Sequence, residues 1–190
     1  MASRADNSGG RRGWSWWRIL GWGFAATLML LPAVAMQFTS EVNWTASDFV
    51  FAGVLIGGTG LLLELAARRS RSAAYRGGVA LALLASFLLI WINGAVGIIG
   101  NEDNPANLMF LAVILIALVG SVLALFRPAG MAMAMAAAAG AQALIAAIAL
   151  YRGLGASEPP GPLGIVLLIG FFVGLWLASA WLFKRAAELP

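Results

Sequence analysis

The chain has no cysteine and no histidine among its 190 residues. Imidazole is the commonest metal ligand and the most frequent general base. Thiolate and imidazole sites for zinc, copper, haem or iron–sulfur clusters are therefore closed off. Ser-His-Asp and Cys-His nucleophilic catalysis go with them. No disulfide can form, so the thiols carry no record of redox compartment. Charge is scarce too: Asp, Glu, Lys and Arg make up 11% of the residues, against about 25% in soluble domains.

What is present instead is apolar. Hydrophobic residues account for 62% of the chain and the mean hydropathy is +0.90, where soluble proteins run about 45–50% apolar. A soluble fold of this length needs more polar surface to cover its core; lipid removes that requirement. Six apolar stretches fall at 17–38, 48–67, 78–100, 107–126, 130–151 and 163–183. Each is close to the roughly 20 residues that cross about 30 Å of hydrocarbon. The expected fold is an all-α membrane protein, a bundle of six transmembrane helices over residues 17–185. Residues 1–16 are expected to form a disordered basic tail, since MASRADNSGGRRG has no apolar period.

The first stretch has a second reading. Arg11, Arg12 and Arg18 precede it, and Pro32 is followed by Ala33-Val34-Ala35, which fits a secretory signal peptide with a small-residue cleavage site. The run is long enough to span and five more follow, which favours an uncleaved helix kinked at Pro32.

Orientation follows from the basic residues. Arg4, Arg11, Arg12, Arg18, Arg68, Arg69, Arg71, Arg76, Arg127, Lys184 and Arg185 fall on one side, eleven of the twelve. The other side has Arg152 with Glu41, Asp48, Glu102, Asp103 and Glu158. The positive-inside rule then predicts cytoplasmic N- and C-termini. The same placement reads the pI near 10.7 as membrane anchoring, with no nucleic acid as partner. Trp14, Trp16, Trp17 and Trp22 are expected to belt the cytoplasmic entry, Trp44 to mark an outer loop, and Trp176 and Trp181 to lie in the inner half of span six.

A weak repeat runs through the chain. Thr45-Ala-Ser-Asp48-Phe-Val-Phe51 lies 59 residues before Asn104-Pro-Ala-Asn107-Leu-Met-Phe110, and the same offset aligns Arg68 with Arg127. This suggests helical hairpins in tandem, although the third does not carry the pattern.

The outer loops hold the densest polar chemistry. Glu41, Asn43 and Asp48, then Asn101, Glu102, Asp103, Asn104 and Asn107, invite reading as an oxygen-rich, cation-attracting mouth or a calcium site. Helix capping explains part of the set. Thr45 with Asp48 makes a capping-box pattern, and Asn104-Pro105 an N-cap followed by proline. Glu102 and Asp103 are left as candidates for an outer-face role.

Inside the spans, past the Asp48 that opens the second, Glu64 is the one carboxylate, and intramembrane charges default to functional candidates. It sits near the cytoplasmic end, four residues before Arg68, where a helical ion pair is expected. Asn93 in span three and Gln142 in span five are candidate pathway residues, weighed against interhelical hydrogen bonding.

Residues 129–141 are only Ala, Gly and Met, a smooth surface that places span five centrally. Gly53-x-x-x-Gly57 and Gly170-x-x-x-Gly174 add small-residue faces suited to helix association or self-association. Met131, Met133 and Met135 suggest Cu(I), yet a spacing of two puts Met133 on the opposite helical face; gap filling is preferred and no cofactor is expected. Asn43-Trp-Thr45 fits a glycosylation acceptor. Gly57-Gly-Thr-Gly60 lacks the preceding strand and the Lys of a phosphate loop.

The segments Val42-Asn43-Trp44 and Gly100-Asn-Glu-Asp-Asn-Pro-Ala-Asn107-Leu resemble those of small, uncharacterised multi-pass proteins of bacterial inner membranes, over spans one to five. The resemblance implies location only; no activity, substrate, partner or functional residue carries over. The functional expectation is a non-catalytic accessory or interaction component embedded in the lipid bilayer. The alternative is a small ion or solute channel or transporter with Glu102 and Asp103 at an acidic mouth and Asn93, Gln142 or Glu64 along the path. An intramembrane enzyme ranks third, because the spans lack an acid–base pair.

Overall fold

A computed structural model describes residues 16–188. The expected tail, with Arg4, Arg11, Arg12 and Trp14, lies outside the described residues, as does the side chain of Trp17. The described chain is helical: α1 (Trp16–Ala35), α2 (Ala46–Arg69), α3 (Ala73–Ala95), a 3₁₀ turn (Pro105–Leu108), α4 (Met109–Leu123), α5 (Pro128–Arg152) and α6 (Gly161–Glu188). Counting the 3₁₀ turn with α4, six helices are long and apolar enough to cross a bilayer, as befits a multi-pass membrane protein. The chain divides into two compact units, Met1–Gly60 and Leu61–Pro190, with the boundary inside α2.

The first unit holds α1 and most of α2. Its helix start is fixed by short-range chemistry. Asp48 Oδ2 accepts from the Thr45 N–H at 2.7 Å and from its hydroxyl at 2.8 Å. That satisfies an N–H at the helix entry, as the capping-box pattern predicts. Trp44 and Phe49 meet edge to face at 5.3 Å, closing the chain entry as a hydrophobic staple one residue outside the box. Contact between α1 and α2 is sparse: Trp22 lies over Gly60, and the tip of Met29 over Gly53. Most large apolar side chains of this unit are exposed, among them Phe24, Leu31, Val50 and Val54.

In the second unit α6 packs against α3 and α5, and α5 against α6 and α4, so the spatial order is α3–α6–α5–α4. Glycine decides where backbones come close. A Cβ on Gly78 would meet the Phe183 ring at 3.1 Å, and one on Gly120 would meet the Ala134 Cβ at 2.7 Å. Small-to-large changes at such points force packed neighbours apart. Ser179 adds a polar clasp, donating from Oγ to the Gly78 carbonyl at 2.8 Å across the α3–α6 contact. The core comprises Leu89, Phe110, Val113, Met135, Ala138, Ile145, Ile169, Phe172, Trp176 and Phe183.

Span five is central, as its composition predicts, and Met131, Ala134, Met135, Ala138, Gln142, Ile145 and Ala149 form its buried stripe. Met133 is 75% exposed on the opposite face. Two expectations need correction. Span three is read as 78–100 from hydropathy, but α3 runs from Ala73 to Ala95. Ser72 caps it by accepting from the Tyr75 N–H at 3.3 Å, so the helix opens ahead of Arg76. It stops where Gly97 takes φ +73°, and the apolar Ile98 and Ile99 beyond it are buried in a non-helical segment. Hydropathy does not separate such a segment from a helix end. The close approaches within the second unit use Gly78, Gly120 and Gly130, whereas Gly57, Gly170 and Gly174 have open space where a side chain would stand. Trp176, expected at the interface, is fully buried in the core.

Candidate functional site

The polar residues form three separate groups. At one end, between α3 and α4, the chain from Val96 to Asn104 is tied down by a single side chain. Asn107 Oδ1 accepts from the N–H groups of Ile98 (3.1 Å) and Ile99 (2.9 Å). Its Nδ2 donates to the carbonyls of Ile99 (3.4 Å) and Asn101 (2.8 Å). One buried amide thus satisfies backbone groups that a buried loop would otherwise leave orphaned. Gly97 and Gly100, both at positive φ, allow the chain to wrap it. Asn104 Oδ1 caps the 3₁₀ turn through the Ala106 N–H at 3.0 Å, with Pro105 at its first position. Glu158, from the α5–α6 connection, accepts from the Asn101 N–H at 3.3 Å.

Glu102 and Asp103 ride on the outside of this knot and are exposed. The Asp103 N–H donates to Asn101 Oδ1 at 3.1 Å, so backbone geometry accounts for the turn they occupy. Among the described residues no three carboxylates gather as a metal cluster. The sequence offered Asn107 only as one of several loop oxygens. Its role as the organising residue was invisible because its partners are backbone atoms six to nine residues away.

The second group is two amides within the helices, Asn93 half-buried and Gln142 buried. Asn93 Nδ2 donates to the Leu89 carbonyl of its own helix at 2.7 Å, which replaces the expected interhelical bond by back-bonding along α3. Gln142 is 0% exposed and its Nε2 and Oε1 find no protein partner. The expected interhelical bond is therefore not made by Gln142. The Trp176 Nε1 is likewise buried without a protein partner. The two amides and the indole do not assemble into an acid–base constellation.

The third group lies at the opposite end of the second unit, where α3 begins, α4 turns into α5 and α6 ends. Glu64 pairs with Arg68 at 2.5 Å, four residues on, as the spacing predicts. Tyr75 is the organiser. Its ring meets Phe183 edge to face at 5.3 Å and its hydroxyl donates to the Phe126 carbonyl at 3.0 Å. The Arg69 guanidinium sits over the Phe126 ring at 6.0 Å, and Arg185 over Trp181 at 4.9 Å. Leu125 and Phe126 take φ +49° and +57°, a left-handed turn that L-residues other than glycine adopt at a cost. Nothing in the sequence marks Tyr75, because its partners lie 51 and 108 residues further along the chain.

The five candidates therefore stay apart. Glu102 and Asp103 share one exposed turn, Glu64 lies toward the basic end of α2, and Asn93 and Gln142 occupy different helices. Compared with protein-family models, with curated proteins and with solved structures, the chain finds no match, so the arrangement of its own residues is what a functional reading rests on.

Proposed function

We propose that this chain is a non-catalytic, accessory or interaction component of a bacterial inner membrane, with its arginine-rich end and both termini on the cytoplasmic side. The observation that carries this reading is the filling of the second unit's centre. Met135, Ala138, Phe172, Trp176 and Phe183 are all at most 1% exposed. A conducting path is lined with polar groups and water, whereas these side chains close-pack. Uncovered helix faces bearing Gly57, Gly170 and Gly174 suit association with a further copy or another membrane protein. Eleven of twelve basic residues on one side support the orientation.

A channel or transporter is the second reading, favoured by Gln142 and Trp176, whose buried polar atoms have no protein partner. Ion and solute flux through proteoliposomes separates the two. The accessory reading expects no flux above protein-free vesicles. Flux that falls in Glu102→Gln/Asp103→Asn or in Gln142→Leu overturns it.

A further inference from the structure

We propose that the turn between α4 and α5, with the helix ends around it, is a binding site for the phosphate headgroup of an anionic phospholipid. The inference rests on the bilayer reading and goes beyond it by naming a site. Arg69, Arg71, Arg76 and Arg127 are all exposed at this end, with Lys184 and Arg185 on the adjoining end of α6. Acids on these segments are Glu64, already engaged by Arg68, and Glu188. The local field is strongly positive, and it is built rather than scattered, because Tyr75 binds three elements together. It holds the Phe126 carbonyl by hydrogen bond and the Phe183 ring by edge contact.

The apolar side chains at the site are informative. Leu125 is 64% exposed and Phe126 43% exposed, and both sit on left-handed backbone. Glycine would relieve that strain, yet the chain keeps two large apolar residues there, with Arg127 next in sequence and Arg69 over the Phe126 ring. Strained backbone that persists is a pointer to a role. An apolar pair beside Arg69 and Arg127, at an end rich in further arginines, matches a ligand that is anionic at its head and hydrocarbon immediately below it. Inorganic phosphate would use the charges and leave Leu125 and Phe126 without a purpose. Basic pockets between transmembrane helices hold anionic headgroups by this chemistry, and arginine presents the planar donor fork that phosphate accepts.

The test is native mass spectrometry of the full chain in detergent, with phosphatidylglycerol, phosphatidylcholine or inorganic phosphate added. Phosphatidylglycerol should be retained in preference to phosphatidylcholine. Retention should fall roughly five-fold per arginine removed, and on the order of a hundred-fold in Arg69→Gln/Arg76→Gln/Arg127→Gln. Arg152→Gln, at the far end of α5, should leave it unchanged. Leu125→Ser/Phe126→Ser should lower lipid retention while leaving the charges in place. If the triple glutamine variant does not fold, the single Arg127→Gln carries the test with a five-fold expectation. Equal retention of phosphatidylcholine, unchanged retention in the arginine variants, or displacement of lipid by millimolar inorganic phosphate overturns the proposal. Release of the protein from membranes by alkaline carbonate without detergent would instead sink the bilayer reading, which separates the two failures.

Discussion

Replacing Asn107 should unfasten the end of the second unit between α3 and α4 at a calculable cost. Its side chain satisfies the N–H groups of Ile98 and Ile99 and the carbonyls of Ile99 and Asn101. Ile98 and Ile99 are fully buried, so their N–H groups gain no water when the amide is removed. A buried donor left unsatisfied costs about 1–3 kcal/mol; two donors give roughly 2–6 kcal/mol, and rearrangement of the loop keeps the expected loss near 3–5 kcal/mol. Asn107→Leu is the sharper variant because it keeps the branched four-heavy-atom shape while removing the hydrogen bonds. Packing would be rescued by leucine and not by alanine, whereas lost hydrogen bonds fail alike in both. The assay is reversible unfolding in mixed micelles with increasing dodecyl sulfate, followed by circular dichroism. Asn104→Ala, which removes a single cap, should cost about 1 kcal/mol on the same scale. If Asn107→Leu lies within about 1 kcal/mol of the parent, below the cost of even two unsatisfied donors, the reasoning fails.

Gly120→Leu and Gly78→Leu should each destabilise by several kcal/mol, since even a Cβ at these sites meets Ala134 or Phe183; Gly170→Ala and Gly174→Ala, facing open space, should change unfolding by less than about 0.5 kcal/mol. Gly170→Leu with Gly174→Leu should leave the monomer folded but lower any self-association measured by sedimentation in detergent, and an unaltered oligomer distribution would remove that face from consideration. Tyr75→Phe should cost roughly 1 kcal/mol through the lost bond to the Phe126 carbonyl, visible as faster proteolysis in the α4–α5 turn. Glu64→Gln should alter stability by no more than about 0.5 kcal/mol, because its i,i+4 pair with Arg68 is largely exposed on the arginine side; a large effect would mean that Glu64 does something other than pair.

Much of the fold was legible because two signals are additive along a chain. Apolar length located the helices, and cap chemistry located their starts: Thr45 with Asp48, and Asn104 with Pro105, do what their spacing predicts. The misplacement of span three shows the limit. Val96 to Gly100 continues the apolar run of α3, so composition extends the helix through a segment that Gly97 and Gly100 turn aside and Asn107 pins. Long-range polar contacts are illegible for the same reason. Tyr75 reading Phe126, and Ser179 reading Gly78, join positions 51 and 101 residues apart, and no local pattern announces either. Nor does composition separate the glycines that admit a neighbouring helix from those that face outward; Gly78 and Gly174 look alike until the backbones are placed.

That last distinction bears on what the protein contacts. In lipid, helices gain little by burying apolar surface against each other, since the alternative is equally apolar; close packing and polar clasps hold them together. The second unit follows this logic. Its helices are joined at glycines under Phe183 and Ala134, and fastened by Ser179, Tyr75 and Asn107. The first unit has fewer such devices: a capped helix start, and light contacts of Trp22 and Met29 with glycines. Hydrophobicity therefore says where both units reside and nothing about how firmly each coheres. Cohesion is written in the few residues that are not greasy, while Gly57 on α2 and Gly170 and Gly174 on α6 stand open. Open glycine faces let a further helix approach closely, which is the kind of surface the proposed interaction role calls for.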